Sequence, residues 1–211
     1  MVKERVLVIA PHADDGEFGA GGSIARFAEE EKEINYIAFS GAEKSVPKGM
    51  PKDAQRKKET MKATAILGIK RDNVEVLKYP VREFPHYRQD ILEDMIRIEN
   101  DIKPDLVLLP AISDTHQDHQ VIAAEGFRAF KKTTMLGYEV PWNNLNFTTS
   151  AFIHIEERHL ETKINAVKCF ITQLGRIYVT EDFIRSLALT RGVQIGTKYA
   201  ETFEVIRWVV K

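Results

Sequence analysis

Residues 5–17 read Arg5-Val6-Leu7-Val8-Ile9-Ala10-Pro11-His12-Ala13-Asp14-Asp15-Gly16-Glu17. The opening run is short, β-branched, apolar and bounded by Pro11, which is the pattern of a buried strand. A Gly-rich turn, Gly19-Ala20-Gly21-Gly22-Ser23, and a helix-like segment follow. A histidine and two adjacent carboxylates thus fall at the C-terminal end of a strand, the edge where open α/β sheets bind ligands. A second cluster, Asp114-Thr115-His116-Gln117-Asp118-His119, follows another apolar run, Asp105-Leu106-Val107-Leu108-Leu109-Pro110. Two His- and Asp-rich clusters at the same ends of two strands read as one metal site.

Outward from these stretches, strand and helix patterns alternate over the first two-thirds of the chain. Strands are expected at Val6 to Ala10, Asn35 to Ser40, Val74 to Tyr79 and Leu106 to Pro110. Helices are expected at Ser23 to Lys32, Asp53 to Leu67, Arg88 to Ile102 and Gln120 to Lys131. The βαβα order predicts a Rossmann-like, mostly parallel sheet with helices on both faces. Ser23 is a candidate N-cap, and Gly68 suits the left-handed position after a helix. Later strands are expected at Met135 to Val140, Ala151 to Ile155 and Phe203 to Val210, and helices at Glu161 to Gln173 and Glu181 to Thr190. No repeat or linker divides the chain, so residues 1–211 read as one domain. The loops Glu43 to Lys52 and Val81 to His86, charged and aromatic, are candidate substrate loops.

Composition narrows the class. Lys+Arg number 30 against 31 Asp+Glu, which gives no electrostatic reason to expect nucleic acid as a partner. The single cysteine, Cys169, excludes a disulfide framework and a Cys-rich zinc site, and is expected as a buried helix residue. No apolar stretch is long enough to span a bilayer and Met1 to Arg5 carries no signal pattern, so a cytoplasmic protein is expected. The apolar and aromatic C-terminal third, with Trp208, suits core or the interface of a homo-oligomer equally.

The two clusters hold the ingredients of hydrolytic chemistry. His116 and His119 stand i, i+3 and share a face if Asp118-His119 opens a helix. His12, Asp15 and one of these histidines would form a site of two imidazoles and one carboxylate with open positions. Zinc accepts such ligands and keeps a place for water in catalytic sites. Fe2+ or Mn2+ suits the same set. Asp14 is then placed as general base. The spare histidine, protonated, can stabilise an oxyanion and return a proton to a leaving group. This inventory matches metal-assisted hydrolysis of an amide or ester. Taken singly, each cluster also reads as an ordinary turn or helix cap.

Other residues weigh less. His154 is expected as structural, His159 as a solvated residue at a helix start, and His86 as part of a loop. Gly19-X-Gly21-Gly22 is not a dinucleotide fingerprint, and room for close helix–strand packing explains it better. Arg56, Arg82, Arg88 and Trp142 are candidate substrate contacts, since arginine suits a phosphate or carboxylate and tryptophan a sugar face.

At Pro11-His12-Ala13-Asp14-Asp15 and His116-Gln117-Asp118-His119 the chain resembles the PIG-L/LmbE-like family of zinc-dependent de-N-acetylases of N-acetylglucosamine-type groups. Arg56-Lys57-Lys58-Glu59, the Lys163 to Gln173 segment and Tyr199-Ala200-Glu201-Thr202-Phe203 are also similar to the family pattern, so the resemblance spans essentially the whole chain. It implies His12, Asp15 and His119 as zinc ligands, Asp14 as general base, His116 as the electrophilic or acid histidine, and Asp118 as orienting a histidine. Ala13 and Gln117 stand where the family commonly has proline, and Asp114-Thr115 where some members carry a tyrosine. The implied reaction is hydrolysis of the N-acetyl group of a small-molecule amino sugar or its conjugate, with release of acetate. Hydrolysis of another acyl amide or ester is the alternative, as is a non-catalytic zinc- or sugar-binding protein.

Overall fold

A computed structural model describes residues 3–46 and 52–210. Residues 47–51 of the candidate loop Glu43 to Lys52 lie outside the described residues. The first strand, β1 (Arg5–His12), is an interior strand, third in the order of a seven-stranded sheet. It is flanked by β2 (Glu33–Ser40) and β4 (Leu106–Pro110), with β3 (Val74–Val76) beyond β2 and β5 (Thr134–Tyr138) beyond β4. These five run parallel. The sheet is completed by β7 (Tyr199–Arg207), antiparallel to β5, and β6 (Ala151–Ile155), antiparallel to β7.

Alternation along β1 explains the layers. Val6, Val8 and Ala10 face one core, which includes Ile24 and Phe27 of α1 (Asp15–Glu29) and Ala63 and Leu67 at α2 (Lys52–Ile66). Leu7 and Ile9 face the other, built with α3 (Arg88–Ile102) and α4 (Gln117–Ala129). A strand buried on both faces needs the unbroken apolar run seen in the sequence. A third cluster packs α5 (Glu157–Val167) and α6 (Glu181–Val193) beside Phe18 and Tyr199.

Several boundaries differ from the sequence expectation. Helix α1 begins at Asp15, eight residues before Ser23, so Gly19 to Gly22 lie within a helix and not in a turn. The helix kinks at Ala20 (φ −142°, ψ 15°). The reason is close packing: a Cβ on Gly19 would stand 2.3 Å from the Tyr138 ring, and one on Gly22 2.7 Å from Ile155. Ser23 is therefore not an N-cap. Its backbone N–H donates to Glu201 at 2.6 Å and that of Gly22 at 3.0 Å, so the carboxylate satisfies amides at the kink. The buried Lys163 ammonium neutralises Glu201.

Helix α4 starts at Gln117 and not Gln120, because Asp114 and His116 organise its entrance. Helix α5 spans Glu157–Val167, followed by a separate 3₁₀ turn, Ile171–Gln173. Cys169 falls after the helix and is only partly buried. His159 is buried at 5 % exposure and not solvated, closing a capping box with Glu156 and pairing with Glu29. Gly68 takes the expected left-handed conformation, φ 86°. Among the described residues, no helix is long and apolar enough to cross a membrane.

Candidate active site

Strand order in the sheet reverses between β1 and β4, since β2 and β3 lie on one side of β1 and β5 on the far side of β4. Such a switch point leaves a crevice at the C-terminal strand ends. His12 is the last residue of β1 and Asp15 the first of α1. His119 lies in the first turn of α4, which follows β4. Fold topology thus carries the two clusters into one cleft.

Three donor atoms converge there. Nδ1 of His12 is 3.0 Å from Oδ2 of Asp15, Nε2 of His119 is 3.2 Å from the same oxygen, and the two ring nitrogens are 3.3 Å apart. Donors at 2.0–2.1 Å from a tetrahedral zinc stand about 3.3 Å from each other. The triangle therefore fits zinc without rearrangement. His12, His116 and His119 also offer donor atoms within 4.8 Å of one another. That wider set fits less well, and His116 has another engagement.

The ligand-like rings are fixed from behind. Nε2 of His12 meets Oδ2 of Asp118 at 2.9 Å, and Nδ1 of His119 meets Oδ2 of Asp114 at 2.7 Å. Asp118 also accepts the backbone N–H groups of Arg82 and Phe84. Carboxylates in these places hold the far ring proton and leave the near nitrogen free for a cation. Asp118 thus stands where a histidine-orienting residue belongs. Sequence reasoning missed Asp114, although it stands in the same cluster, five residues before His119.

His116 caps α4. Its Nδ1 accepts the Asp118 N–H at 3.2 Å, so the ring proton sits on Nε2. Its ring is 4.9 Å from that of His12 and 4.8 Å from that of His119. Burial, and then the neighbouring His119 and His12, push its pKa down to about 4. The sequence reading has this histidine protonated; in the metal-free protein it is a neutral donor.

Charge elsewhere in the site runs the other way. Burial opposes charge on His119, but the carboxylates of Asp15 and Asp114 outweigh it and lift its pKa to about 10. His12 is raised for the same reason, against burial, by Asp15 and Asp118. Asp15, though buried, is pulled well below the usual carboxylate range by His119 and His12.

Asp14 lies beside this cluster and is held by Arg56, whose guanidinium is 3.2 Å from Oδ2. Arg56 is 2 % exposed and also donates to Thr172 and the Gly41 carbonyl. Arg82 and Trp142 line the same cleft, as does Gln173, the end of the family-like Lys163 to Gln173 segment; Arg176 and Tyr178, which the sequence did not single out, line it too. Trp142 stacks on Tyr178, centroids 4.1 Å apart and planes 15° apart, with Phe18 edge-on to both. Arg88 does not line the cleft; it pairs with Glu125 of α4 at 2.8 Å.

The family model described as GlcNAc-PI de-N-acetylase, PIG-L, matches residues 7–130. The chain belongs to the PIG-L family. Within and around it, the chain is 23 % identical over 221 residues to the diacetylchitobiose deacetylase of Thermococcus kodakarensis, covering 94 % of this chain and 81 % of that one. Its fold is similar to that of the N,N'-diacetylchitobiose deacetylase from Pyrococcus horikoshii, with a TM-score of 0.82 at 22 % identity over 96 % and 84 % of the two chains. It is also similar to GalB, the 4-carboxy-2-hydroxymuconate hydratase from Pseudomonas putida, with a TM-score of 0.79 at 21 % identity over 99 % and 98 %. One PIG-L-like fold therefore carries more than one reaction, and function has to be argued from the site.

Proposed function

We propose that the chain is a zinc-dependent de-N-acetylase that hydrolyses the N-acetyl group of an N-acetylglucosamine-type amino sugar or its conjugate, releasing acetate. The observation that carries this reading is the triangle of His12, Asp15 and His119 with Asp14 and His116 beside it. Three residues would hold an ion, which leaves two for proton transfer and charge stabilisation. Zinc is the ion favoured by the spacing, and Fe2+ or Mn2+ could use the same donors. When bound, the ion supplies Lewis acidity, polarising an acyl carbonyl and acidifying water.

The chain's own residues do the rest. Asp14, fixed by Arg56, takes the proton of the attacking water as general base. His116 presents Nε2–H to the oxygen on which negative charge develops, the role of an oxyanion donor. Proton transfer to the amine leaving group then releases acetate and the free amino sugar. Asp118 and Asp114 keep His12 and His119 in register throughout. Arg56, Arg82 and Trp142 are in position for substrate contact, and Arg88 contributes through its bond to α4 instead.

Acetate release from a panel of N-acetylated amino sugars, with chelator and with restored zinc, tests this reading. Release that chelator abolishes and zinc restores supports it. Bound zinc without release from any member of the panel would move the site to another acyl substrate.

A further inference from the structure

Asp14 is the N-cap residue of α1, yet its carboxylate makes no cap bond to that helix. Arg56 holds it instead, Nη1 donating to Oδ2 at 3.2 Å. The same Nη1 donates to the Thr172 hydroxyl at 3.1 Å. That hydroxyl donates to Oε2 of Glu59 at 2.7 Å, and the Thr172 backbone N–H donates to Oε1 of Glu59 at 3.2 Å. Arg56 and Glu59 are each 2 % exposed and Thr172 is 5 % exposed. Glu59 stands one turn after Arg56 on α2, with Oε2 4.0 Å from Nη1 of Arg56. Thr172 arrives from the 3₁₀ turn Ile171–Gln173. Asp14 and Arg56 line the cleft, and Thr172 and Glu59 stand behind them. The Thr60 hydroxyl, next along α2, reaches the Ala13 carbonyl at 3.3 Å and ties the same helix to the motif.

A hydroxyl has one proton to give and two lone pairs. With its proton given to Glu59, the Thr172 oxygen can only accept, and it accepts from Arg56. Glu59 spends both oxygens on Thr172, which fixes the direction of that bond and the place of the turn together. Turning the Arg56 fork away would leave buried polar groups unpaired, which is costly. A catalytic group works from a narrow range of positions, and a shift of about 1 Å caused far from the chemistry can cost 10²-fold in rate. We propose that Thr172, oriented by Glu59, is a positioning residue for the general base and acts on Asp14 through Arg56. This rests on Asp14 as the base of the reading above. Two residues outside the cleft thereby set the geometry of proton abstraction within it.

Thr172→Val keeps the shape and removes the hydroxyl, and Thr172→Ser keeps the hydroxyl. Followed by acetate release from an N-acetylated amino sugar, Thr172→Val should lower kcat by up to about 100-fold, with KM little changed and zinc still bound. Thr172→Ser should recover most of that loss. In an Arg56→Gln background, adding Thr172→Val should lower kcat no further, whereas independent structural effects would add. Glu59→Gln offers one acceptor oxygen where the carboxylate uses two, so it should lower kcat in the same way. If Thr172→Val does not fold, Glu59→Gln carries the same comparisons. Unchanged kcat in Thr172→Val, equal losses in the valine and serine variants, or additive losses with Arg56→Gln overturn the proposal. Crystal structures of wild type and Thr172→Val read the positioning without turnover. Arg56 should leave hydrogen-bonding distance of Asp14 while His12, Asp15 and His119 stay in place. Where wild type releases no acetate, that displacement sustains the positioning and only the deacetylase reading fails. An Arg56–Asp14 contact unmoved in Thr172→Val removes the positioning role in either case.

Discussion

Oδ2 of Asp114 lies 2.7 Å from Nδ1 of His119, and Oδ2 of Asp118 lies 2.9 Å from Nε2 of His12. Each pair turns a histidine into an oriented donor. Replacing Asp114 with Asn keeps the shape and weakens that orientation, so zinc affinity should drop about 10- to 100-fold. Competition with a chromophoric chelator measures this, and unchanged affinity would remove Asp114 from the role. The protonation of the same histidines sets the pH dependence of loading. His119 has a pKa of about 10 in the metal-free protein and His12 is raised above its ordinary value. A metal ligand must be neutral imidazole, so loading at pH 7 displaces at least one proton. Affinity should therefore fall as pH falls. Calorimetry in buffers of different ionisation enthalpy reads the proton count directly, and zero released protons would contradict a protonated His119 in the metal-free protein. Asp114 escaped the sequence reading because an Asp before a helix has an ordinary capping role, which it also fills by accepting the His116 N–H at 2.8 Å.

Helix α1 links the metal site to the sheet, and its glycines decide how closely it packs. A methyl group at Gly19 would meet Tyr138 at 2.3 Å, and Tyr138 is itself fixed by a 3.0 Å bond from its hydroxyl to the Ile9 carbonyl. The ring cannot move aside cheaply. Gly19→Ala should cost about 1–3 kcal/mol of stability, as overpacking in a close-packed core does. A denaturation midpoint equal to that of wild type would show that α1 has room to shift. The same glycines explain where sequence reading stopped. Apolar runs and helical periodicity carried β1, β2, β4 and α3 because burial alone fixes those elements. The start of α1 was not legible, since glycine signals a turn locally, and only Tyr138 and Ile155 across the core make it a packing residue. Arg176 was equally hidden: the path after α5, through a 3₁₀ turn, brings it to the cleft. Arg88 shows the converse, an arginine of the right type whose position on α3 takes it to Glu125.

Across the whole molecule, the sheet's change of direction beside β1 gathers segments from both ends of the described chain around one cleft. Legibility was high for this level because two motifs followed two strands. A buried acid beneath the motif leaves a mark on global stability. Glu17 is fully buried, and desolvation outweighs the hydrogen bond it accepts from Tyr36, raising its pKa to about 8. In the unfolded chain it titrates near 4.5. Between these values the native state holds a proton that the unfolded state has released. Stability from this group is therefore present in full below about 4.5, declines as pH rises and levels off above about 8. Denaturant midpoints from pH 5 to 9 should show this slope in wild type and lose it in Glu17→Gln. Parallel profiles would place Glu17 as a carboxylate.

The most direct test follows acetate release and zinc content on the same samples of wild type and Asp14→Ala, using an N-acetylated amino sugar that wild type turns over. Wild type should bind one zinc and lose activity to chelator. Asp14→Ala should keep that zinc while turnover falls by about 10²- to 10⁴-fold, the usual worth of a general base. Full activity after zinc removal, or undiminished turnover in Asp14→Ala, would contradict a metal-centred hydrolase with Asp14 as its base.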